Sequence, residues 1–183
     1  MGKIKSTLAI IMGVTLLLSC NNAQSPGRGN EQHSINKVIQ QSDGSIALHV
    51  KKSESYRDKK NPSTNTAEWN VIMSKSGRFD VWLSSATTDT TNLGYENKVL
   101  LNIHNNVLET LPVINKVVKN TNEVEAPYFK VDSFLGAMYI QDTGQYLVQI
   151  ISDKILPEDV HIADNKVIEK TKLLSVTLTP AIR

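Results

Sequence analysis

Trp82 and a few amide, carboxylate and imidazole side chains are the residues here whose types and spacing could do chemistry. In Arg78-Phe79-Asp80-Val81-Trp82-Leu83-Ser84, the apolar Phe79, Val81 and Leu83 alternate with Asp80, Trp82 and Ser84. Successive side chains of a strand point to opposite faces, so if the first set faces a core the second faces away. The same alternation sets Asn102 and His104 opposite Val99, Leu101 and Ile103, and Gln149 opposite Tyr146, Val148 and Ile150. One outer sheet face carrying all of these would offer a flat indole beside two amides, a carboxylate and an imidazole. Such a set suits a hydroxyl-rich ring: the indole stacks on C–H groups and the polar side chains orient the hydroxyls. The other reading of Trp82 is a ring covered by a loop, in a second small core. Trp69, alternating with Val71 and Met73, reads as core.

Covalent and metal chemistry find little support. No serine nucleophile elbow is present, and no two carboxylates stand out as a glycosidase pair. The four histidines, His33, His49, His104 and His161, are scattered, without the i, i+4 spacing of a helical metal pair. A single cysteine, Cys20, excludes an internal disulfide and a cysteine-built zinc site. The expectation is a non-enzyme with no cofactor and no metal.

The elements that must position these residues are strands. Ser45–Val50 alternates after an Asp43-Gly44 turn, and Trp69–Met73 and Phe79–Leu83 flank Ser76-Gly77 as a hairpin would. Lys98–His104 turns at Asn105-Asn106 into Val107–Leu111. The segment 112–120 reads as a short helix or an irregular strand. Tyr128–Ile140 reads as one long strand or two, broken near Gly136. Gln145–Ser152 and Leu173–Leu178 complete the set, and polar loops fill 56–66, 86–95 and 153–165. Eight to ten strands with turn residues between them and no long helix predict an all-β, antiparallel β-sandwich of jelly-roll type.

The N-terminus has another character. Lys3 and Lys5 precede an apolar run, Leu8–Leu18, followed by Ser19 and Cys20. A basic start and a short apolar stretch describe a secretory signal, too short to stay as a spanning helix. Leu17-Leu18-Ser19-Cys20 resembles the lipobox of bacterial lipoproteins. That resemblance implies removal of residues 1–19, lipidation of Cys20, and anchoring at the cell envelope, in the outer membrane of a diderm bacterium. Residues 20–34 then form a polar tether and residues 35–183 the domain. Without Lys3 and Lys5 the chain carries 18 basic and 18 acidic side chains. It therefore lacks the basic footprint of a nucleic-acid binder.

Within the domain, Ala67-Glu68-Trp69-Asn70-Val71 followed by Ser76-Gly77-Arg78-Phe79-Asp80-Val81-Trp82-Leu83 resembles the opening of galactose-binding-like β-sandwiches. Carbohydrate-binding modules of families 6 and 35 belong there, with accessory domains of fucosidases and sulfatases. Asp142-Thr143-Gly144-Gln145-Tyr146-Leu147-Val148 resembles the group's later Gly-turn strands, and Lys172–Pro180 its last strand. The resemblance implies a glycan site, often at a loop end bearing aromatic residues, which makes Tyr95 and Tyr128 candidates. Calcium-binding members often open on an acidic strand, and Ser45–Val50 has no carboxylate, so no calcium site is carried over. The expected function is non-catalytic binding of carbohydrate or glycan by a membrane-anchored lipoprotein. The alternatives are a lipoprotein that docks an envelope protein partner, and a small glycan-active enzyme.

Overall fold

The computed structural model describes residues 36–156 and 169–181. The signal, Cys20, the tether and part of the 153–165 loop lie outside the described residues.

Among the described residues eleven strands occur in order: β1 (Lys37–Ile39), β2 (Ile46–His49), β3 (Glu54–Tyr56), β4 (Thr66–Met73), β5 (Gly77–Thr87), β6 (Val99–Ile103), β7 (Asn106–Thr110), β8 (Lys116–Val118), β9 (Phe129–Ile140), β10 (Gly144–Ile151) and β11 (Thr171–Pro180). They form two sheets, ordered β1-β4-β10-β6-β7 with β3 also on β4, and β2-β11-β5-β9-β8. All pairings are antiparallel except β1 with β4. The expected antiparallel β-sandwich is what forms. The helical content of the described residues is two short 3-10 turns, Val50–Lys52 and Pro62–Thr64. No described helix is long and apolar enough to cross a membrane.

The core lies between the sheets, where period-two alternation puts it. Ala67, Trp69, Val71 and Met73 of β4 face Phe79, Val81 and Leu83 of β5, joined by Val148, Ile150, Leu101, Ile103, Val176 and Leu178. Trp69 is fully buried, and its indole N–H donates to the His49 carbonyl at 3.1 Å.

The expected hairpin at Ser76-Gly77 does not form. β4 and β5 lie in different sheets, and the chain between them crosses the sandwich as an arch. Two strands with one apolar face each satisfy that pattern equally by lying side by side or by facing across a core. Gly77, at φ +141, lets the backbone swing into the second sheet. The turn at Asp142-Thr143-Gly144 is likewise an arch, from β9 to β10. By contrast β6 and β7 do pair as a hairpin, about His104-Asn105 rather than Asn105-Asn106. The ambiguous segment 112–120 contributes the short edge strand β8. Two edge strands went unpredicted: β1, in an unassigned stretch, and β3, whose last residue, Tyr56, was expected to open the 56–66 loop.

Tyr128–Ile140 resolves into one strand, β9, with an irregularity. Val81 of β5 pairs with Gly136 and the next residue, Trp82, pairs with Phe134, so Leu135 is the extra residue of a bulge. Inward positions shift parity there, from Val131, Ser133 and Leu135 to Met138 and Ile140. Gly136 sits at φ +139 with Leu108 of β7 against it: a Cβ there would meet Leu108 Cδ1 at 3.0 Å. β11 shifts parity in the same way between Leu173 and Ser175.

Candidate functional site

The outer face of the β2-β11-β5-β9-β8 sheet carries the aromatic platform. Directly opposite residues of paired strands share a face, so Thr177, Trp82 and Phe134 stand in one rank across β11, β5 and β9. The Trp82 and Phe134 rings lie 5.1 Å apart between centroids at 52°, and Phe134 is 39% exposed. Trp82 itself is half-buried. The β9 bulge brings Phe134 to it, whereas an uninterrupted register would have paired Leu135 there.

Polar groups flank the platform on both sides. Asp80 lies one rank along, between Thr179 and Ala137. In the other direction stand His49, Ser175, Ser84, Asp132 and Lys116, each opposite the next. The Ser84 hydroxyl donates to Asp132 Oδ1 at 2.7 Å, which aims that carboxylate along the sheet beside the rings. Tyr139 extends the face beyond Arg78 and is 62% exposed. The arrangement offers a stacking surface and oriented acceptors for hydroxyl donors.

The single outer face expected for Trp82, Asp80, Asn102, His104 and Gln149 does not exist. Trp82 and Asp80 lie on β5, in one sheet. Asn102 on β6 and Gln149 on β10 lie in the other, directly opposite each other. All point outward as alternation requires, so the two groups face away from each other across the sandwich. Gln149 donates to Glu68 Oε1 at 2.5 Å, and the Asn102 side-chain carbonyl is buried with no hydrogen-bond partner. His104, past the end of β6 at φ +56, turns its ring toward Tyr146, edge-on at 6.3 Å. It lines a shallow depression of about 310 Å³ with Asp142 and Gln145.

The loop tyrosines also behave differently from expectation. Tyr95 is a core residue rather than a loop-tip ring, only 9% exposed, with its hydroxyl 2.9 Å from Ser85 Oγ. Burial pushes its hydroxyl pKa far above the ordinary value, the Ser85 hydrogen bond opposes this, and the Asp153 charge adds to it. The folded state therefore holds the Tyr95 proton more tightly than the unfolded chain does. The stability this provides is complete below about pH 10 and is lost as pH rises beyond it. Urea midpoints compared between pH ~8 and ~11 should fall less steeply in Tyr95→Phe than in wild type. At neutral pH the same variant should cost about 1 kcal/mol for the lost hydroxyl contact. Tyr128 donates to the Glu169 carbonyl at 2.8 Å, and its ring lies under Lys172 Nζ at 4.7 Å from the centroid. Burial, then the Glu169 charge, raises its pKa. Its ring face and hydroxyl are both engaged within the protein.

Phe134, Asp132 and Tyr139 are the members of the platform that sequence reading missed. Their outward placement depends on the β9 bulge, and only the Gly136 position hinted at a break. Among the described residues no three His, Cys, Asp or Glu side chains gather as they would for a metal.

No protein-family model matches the chain. No curated protein matches it either. Solved structures do. An α-L-fucosidase from Vibrio sp. strain EJY3 superposes with a TM-score of 0.59 at 19% identity, over 79% of this chain and 24% of that one. A Podospora anserina GH26-CBM35 β-(1,4)-mannanase gives 0.46 at 12%, over 77% and 28%. The insecticidal crystal protein Cry2Aa gives 0.47 at 11%, over 78% and 22%. The fucosidase superposition shows a shared β-sandwich fold, and the other two are too loose to add to it. The chain spans about a quarter of the length of these proteins.

Proposed function

We propose that this domain binds glycan without catalysing a reaction, and that Cys20 anchors it through lipid at the cell envelope, in the outer membrane. The observation that carries the reading is the Trp82–Phe134 pair on an outer sheet face, between Asp80 and the hydrogen-bonded Ser84–Asp132 pair. A pyranose presents one face of C–H groups and a rim of hydroxyls, and this surface complements both. The superposed fucosidase is named for action on a sugar, which agrees with the reading.

A glycan array probed with the purified chain tests it. Wild type should retain one glycan class, and Trp82→Ala should bind it measurably more weakly while its circular dichroism and melting stay near wild type. Silence across a broad array, or undiminished binding by Trp82→Ala, would sink the assignment. Silence would instead favour a protein partner. Val107, Leu111, Val113 and Val117, exposed along the β7 and β8 edges, are the apolar surface such a partner would use.

The anchor has its own check. Expressed in a diderm bacterium with labelled palmitate, wild type should take up label and fractionate with membranes, and Cys20→Ala should do neither. Label in the Cys20→Ala chain would refute the assignment of the acylation site. One acyl chain holds a protein only marginally, so stable anchoring requires the additional chains that lipoprotein processing adds.

A further inference from the structure

The geometry points to a second glycan-binding face on the opposite side of the sandwich, so that one molecule bridges two glycan chains. The inference rests on the glycan reading above. The residues that make this face are Tyr56 and Glu54 of β3, Glu68 of β4, Gln149 of β10 and Asn102 of β6. Registers place Glu54, Glu68, Gln149 and Asn102 in one unbroken rank across four strands. Their neighbours Ala67, Trp69, Val148, Ile150, Leu101 and Ile103 fill the core, so the whole rank faces outward.

Three features of this rank suit a hydroxyl-rich ligand. Tyr56 is 62% exposed, shares the face with the rank, and lies diagonally from Glu68, so its ring is a free stacking surface. Glu54 and Glu68 stand directly opposite each other, an arrangement that costs stability between like charges. Gln149 and Asn36 each donate to one of them, Asn36 at 3.5 Å, and neither contact is a cation. Sugar hydroxyls would supply the remaining donors. Asn102 ends the polar rank, its side-chain carbonyl buried and without a hydrogen-bond partner among the described residues. Two carboxylates on the rank disfavour uronate or sulfated chains, so the ligand class is a neutral polysaccharide.

The two faces cannot serve one short ligand. The sheets of a sandwich pack about 10 Å apart, and Trp82 and Tyr56 point away from each other on its two sides. A saccharide of a few units reaches one face, and two such ligands bind independently. A long polysaccharide meeting both faces of many molecules would be cross-linked.

The test uses the full chain, lipid-anchored at one copy per nanodisc. Dextran, galactomannan and arabinoxylan are the neutral polymers, with polygalacturonate as the anionic one and a short oligosaccharide of each. Calorimetry gives stoichiometry and light scattering gives cross-linking. The expected result is two oligosaccharides per wild-type chain and turbidity with at least one neutral polymer. Trp82→Ala and Tyr56→Ala should each bind one oligosaccharide and lose turbidity. Glu68→Gln, which keeps the shape and relieves the like-charge contact, should melt higher than wild type yet weaken the second-face site. That variant keeps the test alive if Tyr56→Ala disturbs the edge strand. One site in wild type, abolished by Trp82→Ala and untouched by Tyr56→Ala and Glu68→Gln, would overturn the second face and leave the glycan reading standing. No binding to any probe would overturn both, and binding confined to polygalacturonate would overturn the neutral-ligand assignment.

Discussion

Trp69→Ala should destabilise the domain by about 3–5 kcal/mol, the usual cost of emptying a large buried aromatic site. Trp69 is fully buried between β4 and β5, among Val71, Val81, Leu101 and Val148 of the same core cluster. Truncation removes its apolar contacts, leaves a cavity the sheets cannot close without breaking register, and strips the His49 carbonyl of its indole donor. For a domain whose total stability lies at roughly 5–15 kcal/mol, that is a large share. Urea denaturation followed by far-ultraviolet circular dichroism should show a much lower midpoint. Trp69→Phe keeps a six-membered ring in the site but loses the N–H donor and part of the ring volume, so it should cost less, about 1–3 kcal/mol. Equal losses in the two variants would show that packing is not what Trp69 contributes. The contrast with Trp82→Ala is the sharper test of the architecture. The two tryptophans lie thirteen positions apart, yet one should govern folding and the other binding.

The second large effect is expected at Gln40, which holds the β4–β5 arch in place. Its Oε1 accepts from the backbone N–H groups of Ser74 at 2.9 Å and Lys75 at 2.7 Å, and from Ser74 Oγ at 3.3 Å. Its Nε2 donates to the carbonyls of Gly44 at 2.8 Å and Lys75 at 3.2 Å. One buried amide thus satisfies backbone groups from the turn before β2 and from the arch that sends the chain into the second sheet. Gln40→Ala would strand these partners. Each costs about 1–3 kcal/mol when left buried and unpaired, and partial access of water at the exposed Ser74 and Lys75 brings the expected total to about 2–4 kcal/mol. Hydrogen exchange offers a local readout: the Ser74 and Lys75 amides should exchange much faster in Gln40→Ala, ahead of the amides of β5. Gln40→Glu should fall between, keeping acceptors for the two N–H groups while setting a carboxylate against two carbonyls. Unchanged exchange at Ser74 and Lys75 would show that the arch stands without the amide.

Much of the sandwich is legible in the sequence because burial imposes period two on each strand. Ile46–His49, Trp69–Met73, Phe79–Leu83 and Val148–Ile150 point as their alternation says, and Trp82 faces outward for the same reason. Alternation breaks down where strands are irregular. At the β9 and β11 bulges the inward parity changes, and with it the identity of Phe134 as the neighbour of Trp82. Short edge strands such as β1 and β3 bury no residue in full and leave no periodic signal, so Tyr56 went unmarked as a surface ring.

The order of residues is enough to say which side chains of each regular strand meet the core and which meet solvent, and that the chain builds sheets. Those are local consequences of backbone geometry and hydrophobicity. Residue order leaves open which strands share a sheet, because an apolar face can be buried by a partner beside it or by a partner across the core at similar cost. Tertiary structure made that choice when the chain crossed the sandwich after Met73, after Thr87 and again after Ile140. The crossings put Trp82 and Asp80 on one outer face and Asn102 and Gln149 on the other. The 86–95 loop then carried Tyr95 into the core, where its hydroxyl meets Ser85 instead of a ligand.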